Sequence, residues 1–342
     1  GKAIKTLVTC EMAWNIQKGK GKASGLKLKY TTKNPLSIKI IAGLKIIIFS
    51  AYMLYLLLCN YIIMSITKLL RISRPRFWIY LLGPFLIGSI LNIEPLEVIR
   101  KWQFWLGFIY FTLPANLLIY GVNDIFDYET DKLNPKKQHY EALVTPTEYT
   151  LVWTWIGATN IPLILALYWI NPLTLFGWLG FIILGVQYSA WPIRAKAKPF
   201  LDSIFNILYI FPGIIGYALL ANKLNLDWRL LLSAGLWTMA MHTYSAIPDI
   251  EADRVSHTPT IATVLGAKLT LIYCFFCYAL AGILLAQFST LLGIMIAIVY
   301  GFMIGFSWSD NTAKIFKLYT YFPILNTIVG FILFWSIVIW YR

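Results

Sequence analysis

The chain has 342 residues, 59% of them hydrophobic and only 13% charged, with a mean hydropathy of +0.68. A soluble domain is about a quarter charged, so this composition excludes a soluble globular enzyme, a disordered regulator and a secreted disulfide scaffold, and reads as a polytopic membrane protein. The net charge of +14 would suggest nucleic acid in a soluble protein; here it reflects the lysines and arginines that collect in cytoplasmic loops, and no nucleic-acid partner is expected.

In chain order, residues 1–39 are polar and lysine-rich, and lack the apolar run and small-residue cleavage site of a removable signal. An apolar stretch at 40–64 follows, interrupted by Lys45. As a span it would carry the lysines outward against the charge rule, so it reads as an interfacial or peripheral helix, with a tenth span as the alternative. A span needs ~20 mostly apolar residues, and nine such segments come next, at about 77–93, 104–122, 150–170, 173–190, 203–221, 230–248, 267–286, 289–307 and 320–340. Domain organisation follows: 1–67 is a basic extension with its peripheral helix, and 68–342 is an all-α bundle of nine transmembrane helices. Cys274 and Cys277 fall inside one apolar run and read as a packed helix, so no disulfide is expected. Gly301 and Gly305 form a GxxxG pattern that suggests close helix packing.

Charge then orients the spans. With Lys68, Arg71, Arg74 and Arg76 on the cytoplasmic side, alternation puts the loops near 123–148, 191–200, 249–268 and 309–319 on that side as well. Those loops hold Lys132, Lys136, Lys137, Arg194, Lys196, Lys198, Arg254, Lys268, Lys314 and Lys317, against Arg100, Lys101, Lys223, Arg229 and Arg342 opposite.

The few acids concentrate in two short stretches at the cytoplasmic ends of spans. One holds Asn123, Asp124, Asp127, Glu129 and Asp131; the other holds Asp249, Glu251 and Asp253. Asn123, Asp127 and Asp131 are four apart, as are Asp249 and Asp253, so a continuing helix lines each set along one stripe. Like charges at that spacing repel, and such ladders of hard oxygen ligands select Mg²⁺ together with phosphate oxygens. A solvated acidic loop or helix caps would explain one acid but not a ladder. An ion pathway would place acids nearer mid-bilayer than these. A proline-bounded basic loop carrying Tyr188, Ser189, Arg194, Lys196 and Lys198 lies on the same side. Acids, Mg²⁺ and basic side chains together make a diphosphate site at the mouth of the bundle.

These residues resemble the UbiA-type intramembrane prenyltransferases, whose signatures are NDxxDxxxD after the second span and DxxxD after the sixth. The wording around them, Tyr120 to Asp131, Ala246 to Asp253 and Thr260 to Gly266, is most similar to the lycopene elongase branch of carotenoid prenyltransferases. The resemblance covers about 68–342. It implies metal ligands at Asn123, Asp127, Asp131, Asp249 and Asp253, and diphosphate contacts at Arg71, Tyr188, Ser189, Arg194 and Lys196. Asp127, Asp249 and Arg194 carry the catalytic expectation.

The implied reaction is Mg²⁺-dependent transfer of a prenyl group from an allylic diphosphate, dimethylallyl diphosphate, to a hydrophobic acceptor resembling lycopene. A quinone precursor, a chlorin, a lipid, or an Asp-lined secondary transporter are the alternatives. The implied location is a bacterial or archaeal cytoplasmic membrane, with the site on the cytoplasmic face. Two departures stand out. Arg254 to His257 replaces a glycine-containing turn, and Leu118 occupies a position where relatives that prenylate aromatic acids carry arginine, which suits a hydrocarbon acceptor. Phe126, Tyr188 and Tyr244 are expected near the site as aromatic faces. His242 is expected to pack or hydrogen-bond rather than take a proton.

Overall fold

The computed structural model describes residues 66–91, 93–132, 142–309 and 311–340. The extension with its 40–64 stretch, and His139 in the polar loop, lie outside the described residues. Every described element is helical. In chain order they include α1 (Ile66–Ser73), α2 (Ile79–Ile90), α3 (Trp102–Tyr110), α4 (Leu113–Phe126), α5 (Tyr149–Ile170), α6 (Leu175–Ser189), α7 (Phe211–Ala221) and α8 (Trp228–Ala246). After these come α9 (Ile250–Val255), α10 (Ile261–Ala286), α11 (Thr290–Ser307), α12 (Thr312–Tyr319) and α13 (Phe322–Trp340).

Seven segments among the described residues are long and apolar enough to cross a membrane: 102–126, 146–170, 172–189, 201–221, 261–286, 290–307 and 314–339. The other two sequence-derived spans are helical but differ in kind. The first is a helix of 12 residues, about 18 Å long at 1.5 Å per residue. The sixth, α8, has 19 residues but a polar inventory, because its side chains bond inward. Ser233 donates to the carbonyl of Ala281 at 2.8 Å, Thr243 to Ser203 Oγ at 2.7 Å, and His242 pairs with Tyr188. An all-helical polytopic membrane protein is therefore the architecture.

Several spans are broken for local reasons. The second is two helices joined at Phe111 and Thr112, just before Pro114, and the Asn116 amide donates to the carbonyls of both turn residues at 3.1 and 2.6 Å. The fifth opens with Leu201–Ile204, tightens into a 3₁₀ stretch over Phe205–Ile210, and continues as α7. Gly266, at φ 73°, interrupts α10, so the straight part begins near 267 as the sequence suggested.

The core has two centres. Tyr110, Phe111, Trp178 and Phe181 pack face-to-edge in one half. In the other, Tyr278 stacks on Tyr300 with ring centroids 4.1 Å apart. Cys274 and Cys277 are free thiols buried in this helix packing. Gly301 and Gly305 correct the GxxxG expectation: a Cβ at Gly301 would meet only the Phe275 ring at 4.0 Å, and at Gly305 nothing within 4 Å. Close backbone approaches lie elsewhere: between α10 and α11, where a Cβ on Gly293 would sit 2.5 Å from the carbonyl oxygen of Gly282, and between α2 and α7, where a Cβ on Gly88 would sit 2.0 Å from the carbonyl oxygen of Gly213. Both partners there are main chain, so neither can yield by rotating a side chain. Gly88→Ala should lower the stability of the detergent-solubilised protein by about 2–3 kcal/mol, and Gly305→Ala by less than about 0.5 kcal/mol, as read from denaturant unfolding.

Candidate active site

The first acidic motif straddles a break. α4 stops at Phe126, Asp127 takes φ −112°, ψ 8°, and one further turn covers Tyr128–Asp131. The stripe expected on one continuous helix is therefore bent at Asp127. The second motif is bent too: Pro248 cannot continue α8, so a 3₁₀ turn over Ile247–Asp249 intervenes before α9 carries Asp253.

Asn123 is the hinge of the site. Its amide donates to Asp127 Oδ2 at 2.6 Å and to Ser189 Oγ at 3.1 Å, while its Oδ1 accepts from Arg74 Nη2 at 3.4 Å. Asp127 is buried and faces the basic loop. Lys196 Nζ pairs with its Oδ1, and Arg194 Nη2 approaches the same oxygen at 3.9 Å. Arg74 also reaches Asp124, Nη2 to Oδ1 at 2.7 Å, and lies 4.7 Å from the Tyr120 ring centroid. Arg74 and Arg194 both hold left-handed backbone, φ 51° and 45°. That conformation costs a non-glycine residue roughly 1–2 kcal/mol. Each arginine is thus held at its acid by its surroundings rather than by local preference.

Lys196 links the two motifs. Burial pulls its ammonium down to about 8, against the carboxylates of Asp253 and Asp124, which raise it, and with Arg74, which lowers it further. Asp253 is pushed up to about 7, first by burial and then by the neighbouring Asp249 carboxylate, with Thr260 and Lys196 acting the other way. Thr260 Oγ1 lies 3.4 Å from Asp253 Oδ2. Asp202, almost fully buried, accepts the Ile261 N–H at 2.9 Å and so anchors the start of α10 that carries this threonine.

The structure therefore brings together Asn123, Asp127, Ser189, Arg194 and Lys196, with Asp253 near enough for its carboxylate to act on Lys196 and Asp249 near enough to act on Asp253. Asp131 is buried one turn beyond Asp127. Arg71 is exposed on α1 and lines no cavity, and Arg74 stands beside Asn123 in its place. Among the described residues no three acidic, histidine or cysteine side chains converge on one point, since Asp127 is turned to its basic partners.

Below the charges lies a cradle of about 230 Å³. It is lined from Arg74 and Asn123 at one end through Tyr120, Tyr188 and His242 to Tyr80, Tyr209 and Met241. Tyr188 Oη and His242 Nε2 are 2.8 Å apart. Of the aromatic residues expected near the site, Tyr188 is there. Tyr244 is buried in the core, bonded to Ser307 at 2.7 Å, and Phe126 is absent from the lining. Sequence reasoning named Asp124 and Tyr120 within the first motif without giving them a role, and missed Asp202 and Tyr209. Arg74 was legible only as one of several entering charges, although its place just before Pro75 marks a turn.

A second cavity of about 860 Å³ runs between α2, α8 and α13. Its walls are almost wholly apolar, and it shares Tyr80, Tyr209 and Met241 with the cradle. The Phe77 and Tyr80 rings stack at 5.8 Å, and Tyr80 meets Tyr209 edge-on at 6.3 Å, so the boundary is aromatic.

The profile of the UbiA prenyltransferase family matches residues 81–322. A lycopene elongase/hydratase of Haloarcula japonica is 38% identical over 273 residues, 80% of this chain and 91% of that protein. A lycopene elongase/hydratase of Haloferax volcanii is 37% identical, over 77% of this chain and 85% of that protein. Among solved structures, a UbiA homolog from Archaeoglobus fulgidus bound to DMAPP and Mg²⁺ superposes with a TM-score of 0.61 at 21% identity, covering 79% of this chain and 99% of that one. At that identity the last likeness speaks for the fold alone.

The buried Arg74–Asp124 pair gives a prediction about stability. Asp124→Ala leaves a guanidinium in the bundle without this carboxylate and should cost about 3 kcal/mol. The double variant Arg74→Met with Asp124→Leu should recover most of that loss in detergent unfolding.

Proposed function

The chain belongs to the UbiA prenyltransferase family, and within it we propose that this enzyme is a lycopene elongase, transferring a prenyl group from an allylic diphosphate to a lycopene-like carotenoid. The observation that carries the reading is the boundary at Tyr80, Tyr209 and Met241, the residues shared by a small charged cradle and an apolar cavity of about 860 Å³. A short polar-headed donor and a long hydrocarbon acceptor need that pairing of chambers. The kinship with carotenoid-elongating relatives over most of the chain supports the acceptor class. Dimethylallyl diphosphate is the donor whose length suits the cradle.

The donor set fits Mg²⁺. It consists of hard oxygens, and the Asp249 carboxylate disfavours charge on Asp253, which a divalent cation would relieve. Asn123, Asp127, Asp131, Asp249 and Asp253 are the residues proposed to hold it, and when bound it would neutralise charge on the leaving diphosphate. Arg74, Arg194 and Lys196 hold the diphosphate oxygens, with Tyr188 and Ser189 beside them. Arg71 lies further out and serves at most as an approach charge. Fixed cations aimed at charge that grows on the leaving oxygen lower the barrier to ionisation. The aromatic walls of Phe77, Tyr80, Tyr120 and Tyr209 face the allylic cation and exclude water.

The same proposal places nine spans in the membrane, counting α2 and α8, with the cradle on the cytoplasmic face of a bacterial or archaeal membrane. Residues 1–67 then form an accessory extension, and 68–342 the enzyme.

Expression in a lycopene-producing bacterium should yield carotenoids heavier by C5 units, and unchanged pigment masses would contradict the reading. Chelation by EDTA should stop turnover and Mg²⁺ restore it. Asp127→Ala or Asp249→Ala should reduce turnover at least ~100-fold with insertion intact, and Arg194→Ala should weaken donor binding or turnover by ~10²-fold. A chain trimmed to begin near Lys68 should keep its activity in reconstituted membranes.

A further inference from the structure

The reaction proposed above leaves one proton unassigned. When the acceptor's terminal double bond attacks the allylic cation, a tertiary cation forms on the acceptor. It must then lose a proton or capture water and lose one. Either course ends with a proton that something in a water-poor chamber has to accept.

Among the described residues lining the cradle, the charged groups and the phenols other than Tyr188, which is bonded to an imidazole, are unsuited to that task. Arg74 is already protonated, and Tyr80, Tyr120, Tyr209 and Tyr319 are phenols. No carboxylate lines the cradle, because Asp127 is turned to Lys196 and Arg194 and Asp124 to Arg74. His242 is the one imidazole there. It lines the cradle beside Tyr188, on the same helix as Met241, a residue shared by cradle and apolar cavity. Its Nε2 is 2.8 Å from Tyr188 Oη, and the two rings meet edge-on with centroids 5.5 Å apart. A histidine bonded to a phenol inside a membrane helix is an expensive element to keep.

We propose, resting on the prenyl-transfer reading, that Tyr188 and His242 form the proton acceptor that resolves the acceptor's cation. The donor's C1–O bond breaks and its electron pair leaves with the diphosphate. The π electrons of the acceptor's terminal double bond make the new C–C bond. A C–H bond beside the resulting cation then breaks, and its electrons close a new double bond. The proton passes to Tyr188 Oη while Tyr188's own proton passes to His242 Nε2. Where water enters, its oxygen bonds the cation and its surplus proton takes the same route. One acceptor pair thus serves both elimination and hydration, and access of water decides the product. The expected hydrogen bond of His242 is present, to Tyr188, and the proposal adds a proton-accepting role to it.

The test uses the full-length enzyme in nanodiscs with lycopene, dimethylallyl diphosphate and Mg²⁺. Diphosphate release and elongated carotenoid are quantified together. For His242→Gln, His242→Ala and Tyr188→Phe, the ratio of elongated carotenoid to released diphosphate should fall at least tenfold, with a C5 alcohol from water capture making up the difference. Added imidazole should restore the ratio in His242→Ala, which also shows that the variant is folded. A wild-type ratio in all three variants would assign the proton to the diphosphate or solvent and overturn the proposal. A wild-type enzyme that makes no elongated carotenoid overturns the parent reading and this one with it.

Discussion

The fold depends on one electrostatic arrangement, a lysine ammonium set among buried carboxylates at one end of an apolar bundle. Asp124, Asp127 and Asp131 are all buried, and a buried carboxylate is tolerable only when paired and hydrogen-bonded. Lys196 and Arg194 come from the loop after α6, and Arg74 from the turn after α1, to supply the countercharge. The two arginines do so from left-handed backbone conformations. The loops at this end are thereby tied to α4. Deeper in the bundle the helices are joined by a different means, the bare backbone contact at Gly88 and aromatic stacking.

From that charged end the polarity falls in steps. Arg74 and Asn123 give way to Tyr120, Tyr188 and His242, then to Tyr80 and Tyr209, and finally to the aliphatic walls of the larger cavity. Tyrosine suits the boundary because its hydroxyl takes polar partners while its ring packs against hydrocarbon. Asn326 illustrates this. It bonds Tyr300 at 2.9 Å and Tyr80 at 3.2 Å, and so fixes the orientation of a ring that both chambers share. A site graded in this way lets a hydrocarbon lie against the reacting end of a charged donor without drawing water after it.

The residues proposed to carry the chemistry are legible because they break the composition. Asn123, Asp127, Asp131, Asp249 and Asp253 stand out in a chain with so few acids, although the breaks at Asp127 and Pro248 bend the stripes that their spacing of four suggests. Arg194 and Lys196 could be read from a basic loop at the same end. Arg74 could not be separated from Arg71 and Arg76, because only the turn at Pro75 decides which of the three points inward. Asp202 was silent, since a lone aspartate at a helix start reads as a cap, and its actual bond is to a distant N–H at Ile261. The lining tyrosines were illegible for a different reason: aromatic residues make up 16% of the chain, so none is conspicuous before the fold selects it. The GxxxG pattern misled because small residues permit close packing without requiring it.

The central claim is that the two acidic motifs act on one diphosphate across Lys196. A double-mutant cycle on donor binding tests it directly, with Asp127→Asn and Asp253→Asn made singly and together and affinity for dimethylallyl diphosphate measured in the presence of Mg²⁺. The account predicts strong non-additivity, a coupling of about 1 kcal/mol or more between residues on separate helices. Additive losses within about 0.3 kcal/mol would mean that the motifs serve separate sites and would contradict it.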